Sequence, residues 1–399
     1  MTSVVGSPTS DSVAERVPLH RWLGVGAVAL GTFAMVTSEQ LPVGLLTSVS
    51  DALGVSEGTA GLMVTVPGLV AAATAPVLPV AIGRLDRHVV LLGLISLMVG
   101  ANVLSAFAPS FGLLLASRFV IGIAIGGFWA LAAGIAVRMV PGEYVPRATA
   151  IAFGGATAAN VLGVPAGTLL GELTDWRIAF GVLGGLGLLV VVALLALLPP
   201  LPATEPVRLR TLAEQFRNPV VRAGVLVTFL LVSGHFAAFT FVSPILRDVA
   251  GVDPAVVGPA LLGFGIAGIV GNFVTGAAAG RSIRVALIII SVALASVLVL
   301  VALVGHSTVT GLGLLLVWGL TFGGIPVGVQ TWILRAAPDS TEAASALNTA
   351  MFNLAIALGA LFGGLIADSL ALTAVLWFGA VLSGLAALTV SLTRSPRDV

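Results

Sequence analysis

The chain has 399 residues, 58% hydrophobic and only 9% charged, with a mean hydropathy of +1.14 and a formal net charge of +1. A soluble domain carries about 25% charged residues, so this composition excludes a water-soluble enzyme and a nucleic-acid binder, and such hydrophobicity excludes a disordered chain. A lipid bilayer remains as the solvent, and 49 Gly with 21 Pro suit closely packed membrane helices.

Residues 1–20 are polar and lack the apolar core of a signal peptide, so they read as a disordered cytoplasmic tail. A membrane helix needs about 20 mostly apolar residues. Six candidates follow at 22–46, 57–82, 88–107, 111–138, 146–171 and 176–198. The segment 199–219, with Pro199, Pro200, Pro202 and Pro206, reads as a cytoplasmic linker. Six more candidates lie at 220–244, 254–280, 285–305, 309–335, 341–367 and 370–392, and 394–399 forms a short tail. The expected fold is an all-α membrane protein with two six-helix bundles, 21–198 and 220–393.

Every basic residue is Arg. With the N-terminus inside, fifteen of the 18 fall on the cytoplasmic side, and only Arg177 and Arg247 fall outside. Cytoplasmic loops hold the excess of basic residues, so both termini are expected inside. The chain has no Cys, which removes disulfides and thiol chemistry, and its four His are scattered. No metal or cofactor is expected. Phosphate-binding loops of the Walker type are also missing, as are the paired motifs of membrane-embedded hydrolases, so neither ATP drive nor an enzyme is expected.

A single offset of 197 residues links the two sets of spans. It carries Gly61 to Gly258, and Gly83, Arg84 and Arg87 to Gly280, Arg281 and Arg284. It also carries Gly126 and Gly127 to Gly323 and Gly324, Arg138 to Arg335, and Gly167 to Gly364. Six spans repeated in the same orientation imply a pathway between two related halves.

Several motifs now point one way. The loop after span 2 reads Gly83-Arg84-Leu85-Asp86-Arg87-His88, span 4 reads Arg118-x3-Gly122-x3-Gly126, and span 5 reads Gly163-Val164-Pro165-Ala166-Gly167. The chain resembles the major facilitator superfamily, and within it the twelve-span drug:proton antiporters. The loop departs from the family signature, with Gly83 where Asp is usual and Asp86 where Gly is usual. Glu39-Gln40-Leu41-Pro42, Gly126-Gly127-Phe128-Trp129 and Trp318-Gly319-Leu320 look most like bacterial purine ribonucleoside efflux pumps. Sugar and chloramphenicol efflux relatives share some of these stretches, and Gly234-His235-Phe236 is closer to the sugar branch.

An ionisable residue inside a span is costly and marks function by default. Glu39 in span 1 and Arg118 in span 4 qualify. Helix rise puts them roughly 10 Å and 12 Å below the outer surface, on helices running in opposite directions. Burial favours a neutral carboxyl and a nearby Arg favours an ionised one, so a conformational change could move a proton on or off Glu39. A fixed ion pair joining two helices is the competing role. His235 maps by the repeat onto Ser38, beside Glu39. It is either a second proton site, a hydrogen-bond partner for substrate, or a histidine satisfied by its neighbours.

The resemblance places spans 1, 4, 7 and 10 around a central cavity. Candidate substrate contacts are then Gln40, Trp129, Asn160, His235, Phe239, Gln330 and Asn353, which combine amide donors and acceptors with flat rings. For Arg84, Asp86 and Arg87 the resemblance implies a gate on the cytoplasmic side, while the altered motif favours a role in topology and helix ends; Gly163, Pro165 and Gly167 imply helix packing. The expected activity is proton-coupled export of small polar or amphipathic molecules, purine nucleosides or bases first, from the bacterial inner membrane as a multi-pass monomer. Protons, a small-molecule substrate and the bilayer are the expected partners, and nucleic acid is not. Sugar or chloramphenicol-type efflux, or an uncoupled facilitator, stand as alternatives.

Overall fold

The computed structural model describes residues 18–141, 144–202 and 214–393. Most of the two predicted tails and the middle of the linker lie outside these residues. The described residues hold twelve helices long and apolar enough to cross a membrane. They are α1 (Leu19–Leu53), α2 (Leu62–Ala81), α3 (Arg87–Ala106), α4 (Phe111–Met139) and α5, which begins at Val145–Ala158. Next come α6 (Trp176–Leu197), α7 (Pro219–Phe239), α8 (Pro254–Arg281) and α9 (Ile283–Val304). The last three are α10 (Thr308–Ala336), α11 (Thr341–Ser369) and α12 (Ala374–Leu392). The first helix starts at Leu19, inside the stretch expected to be tail, because apolar helix-forming residues begin there.

Polar residues set the helix starts. Asp86, Asp175, Asn218 and Asp253 each accept a backbone N–H of the first turn of α3, α6, α7 and α8. Two helices are locally unwound. In α5 a π-helical turn, Ala159–Gly163, precedes Val164–Leu173. After α7 a short helix, Val242–Pro244, leads into a π-helical turn at Ile245–Val249.

Small residues bring the helices together, as expected where lipid supplies no hydrophobic drive. Gly122 lies against the Pro67 carbonyl, and 197 residues later Gly319 lies against that of Phe264. Gly126 meets Ala71 as Gly323 meets Gly268, and Gly127 meets Leu78 as Gly324 meets Thr275. The offset read from sequence is therefore a register of contacts. It extends to turns: Gly54 and Gly251 both adopt the left-handed conformation, at φ 63° and 64°. A second seam relates the halves too, but at an offset of 196, one residue out of the first register. Gly155, Gly163, Gly167 and Gly171 of α5 pack on Ala29, Thr37, Leu41 and Leu45 of α1, while Gly359 and Gly363 of α11 pack on Ser233 and Ala237 of α7.

An even number of crossings puts both ends of the chain at one end of the bundle, here the terminal end. The halves meet towards the other, distal end. There α2 packs on α11 through Gly68 and Ala357, and α8 packs on α5 through Gly258 with Leu169 and Gly265 with Asn160. Residues 41–46 of α1 and 231–246, from α7 into the segment after it, are all buried, whereas Gly26, nearer the terminal end, is exposed. Distally α1 is thus enclosed by its neighbours, and nearer the terminal end it carries exposed positions such as Leu23 and Gly26.

Candidate functional site

Arg118 is completely buried. Its Nε donates to the Met63 carbonyl at 3.1 Å, and its Nη2 donates to the Ser38 and Glu39 carbonyls at 2.9 and 3.4 Å. Two of these acceptors have a common origin. Proline has no N–H, so Pro42 deprives Ser38 of its in-helix donor and Pro67 deprives Met63. Arg118 fills both vacancies and joins α4 to the proline bends of α1 and α2.

The structure thus brings Glu39 and Arg118 together, but not as an ion pair. The guanidinium binds backbone rather than the carboxylate. Arg118 Nη1 is buried without a partner there. Ser38, one residue before Glu39, pairs with Asn102 of α3 through Nδ2 at 2.9 Å.

In the second half, His235 of α7 is also completely buried. The Trp318 indole donates to its Nδ1 at 3.1 Å. Phe322 stacks on the imidazole with centroids 3.7 Å apart, and Phe239 stacks at 4.8 Å. The helix face shared by His235 and Phe239 is real, and the Trp318 contact is an addition from α10.

The amides separate into groups. Gln330 and Asn348 belong to one chain: Thr228 Oγ1 donates to Asn348 Oδ1, Asn348 Nδ2 to Gln330 Oε1, and Gln330 Nε2 to Ser345 Oγ. Thr228 and Ser345 were not candidates from sequence, since a lone hydroxyl in an apolar span carries little signal. Asn353 is buried and bonds its own helix at the Thr349 carbonyl. Asn160 lies exposed on the π-helical turn of α5, and Trp129 is half-buried with its edge against Phe128. Gln40 is half-buried, with Oε1 unpartnered among the described residues.

The loop motif acts within one half. Asp86 Oδ1 accepts from His88 and Leu201 backbone N–H, and Arg87 N–H donates back to the Leu201 carbonyl. Arg138 donates to the Pro202 carbonyl. Desolvation works against ionisation of Asp86, yet these backbone donors hold its carboxyl below the usual range. Arg84 is exposed. In this conformation, then, Asp86 and Arg87 pin the start of the linker rather than bridge the halves. Gly163 and Gly167 serve the α1–α5 seam, and Pro165 lies opposite Gly258 where the halves meet.

A bridge between halves sits at the distal end instead. Asp368 at the end of α11 accepts from Ser56 Oγ at 2.6 Å and from Gly58 N–H at 3.0 Å, in the turn Glu57–Ala60 before α2. Gly58 also touches Gly364. Asp368→Ala removes both acceptors and is expected to favour opening of the distal end. A single cysteine placed at buried Ser243 of this naturally Cys-free chain would report it. Labelling by an impermeant thiol reagent from the distal side should rise several-fold, and an unchanged rate would show that the clasp does not hold the halves.

Comparison with known proteins agrees with this architecture. The family model described as Major Facilitator Superfamily matches residues 28–349. The purine ribonucleoside efflux pump NepI of Shigella sonnei (strain Ss046) is 35% identical over 378 residues, covering 95% of this chain and 96% of the relative. NepI of Escherichia coli (strain K12) matches over the same shares at 35% identity. Among solved structures, a bacterial homolog of the human lysosomal transporter Spinster, inward-facing and occupied, superposes with a TM-score of 0.75 at 16% identity, covering 94% of this chain and 97% of that one. The human organic anion transporter MFSD10 (TETRAN) superposes with a TM-score of 0.68 at 18% identity, covering 94% and 100%. The chain, a multi-pass membrane transporter and not an enzyme, belongs to the Major Facilitator Superfamily.

Proposed function

We propose that this transporter exports purine nucleosides or bases in exchange for protons, by alternating access across the bacterial cytoplasmic membrane with both termini inside. The observation that carries proton coupling is the buried meeting of a carboxyl, Glu39, and a guanidinium, Arg118, inside the helix bundle. Arg118 Nη1 supplies a donor without a partner among the described residues. An ionised Glu39 gains by turning to it, and a protonated Glu39 has no such need. Protonation therefore changes what holds α1 to α4. Guanidinium keeps its own proton, so Glu39 is the group that loads and unloads. Half-buried Gln40 and Gln330 and exposed Asn160 offer donors and acceptors to base edges and ribose hydroxyls, and half-buried Trp129 offers a flat surface, while buried Asn353, His235 and Phe239 would be reached only as the halves move.

The substrate class draws on the full-length likeness to purine ribonucleoside efflux pumps. A thermal-shift series of the purified protein with nucleosides, bases, sugars and chloramphenicol tests it. A ligand that binds only the folded state at a hundred times its Kd adds about 2.7 kcal/mol. Nucleosides are expected to raise the midpoint. A shift from sugars or chloramphenicol with none from nucleosides would overturn the assignment in favour of those substrates. One observation favours a second reading, an uncoupled facilitator: the bonds of Arg118 to proline-freed carbonyls give it a structural role that needs no proton.

A further inference from the structure

An N–H donates only to a lone pair. While the Trp318 indole donates to His235 Nδ1, that nitrogen carries no proton, and a neutral imidazole must then hold its proton on Nε2. His235 Nε2 is buried and has no partner among the described residues. It is an N–H donor without an acceptor, which the fold tolerates at a cost.

The surroundings fix the ring. His235, Phe239, Phe264 and Phe322 are nearly parallel, with interplanar angles between 11° and 25°. Trp318 and Phe236 stand across them at 79° and 89° to the imidazole. No ionisable group faces the ring from the described elements around it. Phe264 comes from α8, and Trp318 and Phe322 from α10. Behind α7 lie Gly359 and Gly363 of α11, and Gly379 and Ser383 of α12. The cluster is buried on every side except at Phe322, which is half-exposed. Phe322, exposed Pro326 and half-exposed Gln330 follow at intervals of four along one side of α10. That side leads from the amide chain to the rings.

We propose that Trp318 is a positioning residue that locks His235 in its neutral Nε2–H form. His235 then presents a fixed hydrogen-bond donor to an acceptor atom on a flat heteroaromatic substrate, a ring nitrogen or a carbonyl, and does not carry the transported proton. This rests on the reading of His235 as a substrate contact. It assigns His235 to recognition alone and leaves Glu39 as the proton carrier. It also predicts selection among substrates, since a ring edge offering only donors meets a donor.

Nitrogen-15 NMR of histidine-labelled protein tests the lock directly. The chain has four His, and the His235 signal is the one lost in His235→Gln. The expected wild-type signal is a neutral Nε2–H imidazole throughout the range of about pH 5 to 8 where a free His titrates. A wild-type Nδ1–H form, or titration within that range, overturns the proposal without any variant. Trp318→Phe removes the donor and keeps an aromatic ring. Its His235 should mix tautomers and titrate, and the KM for inosine should rise by roughly tenfold, the loss of one well-oriented hydrogen bond. An unchanged tautomer and KM in Trp318→Phe would also overturn it. If the lock is seen but His235→Gln leaves the inosine KM untouched, the substrate-contact reading fails, and the donor role proposed here fails with it while the tautomer assignment stands.

Discussion

Glu39→Gln is expected to reduce substrate movement driven by a pH gradient to the level of empty vesicles, while exchange of substrate at equal pH continues. The amide keeps the size and polarity of the side chain but cannot load or release a proton. The carboxylate makes no hydrogen bond with the described residues, so Glu39→Gln breaks none of them and the variant is expected to fold. Gradient-driven uptake into proteoliposomes, measured beside counterflow in the same preparation, separates coupling from translocation. Gradient-driven transport retained in Glu39→Gln would remove Glu39 from the mechanism.

The second large effect concerns Arg118. Arg118→Met fills a similar volume but strands the Ser38 and Met63 carbonyls, each at about 1–3 kcal/mol. A loss of about 2–4 kcal/mol in unfolding stability is expected. The cause can be isolated, because the vacancies come from Pro42 and Pro67. In the Arg118→Met background, Pro42→Ala and Pro67→Ala return an N–H to each carbonyl and should recover part of the loss. In the wild-type background the same changes offer no such gain. The interaction term of this double-mutant cycle reports the staple itself. A cycle with no coupling would show that the two carbonyls are satisfied by other means.

Much of this was legible in sequence because a bilayer imposes one simple demand. Apolar runs of sufficient length must be helices, so all twelve spans have their helix, with ends displaced by up to seven residues, as where α1 runs on to Leu53 rather than ending at 46. The repeat was legible because glycines that let backbones touch cannot drift, as Gly126 and Gly323 show. The meeting of Glu39 and Arg118 followed from counting helix rise. What Arg118 holds did not follow. Pro42 and Pro67 announce two freed carbonyls, but only the fold shows one guanidinium reaching both. The Trp318–His235 bond spans 83 residues and two helices, so no local pattern carries it. Asp86 sat in a motif associated with gating yet binds the linker, because Leu201 follows α6 back over the same loop. The role of Asp368 as a clasp depends on the packing of α11 against α2, which no local pattern shows. The π-helical turns have no residue signature at all.

In the proposed exchange, nucleoside and proton move in opposite directions. Purified protein in proteoliposomes with a pH-sensitive dye trapped in the lumen, started at equal pH and given external inosine, tests it most directly. Inosine entering in exchange for protons should alkalinise the lumen, and Glu39→Gln should abolish that signal. Inosine entry with no movement of protons would rule out exchange and leave a facilitator whose buried Glu39 and Arg118 serve the fold alone.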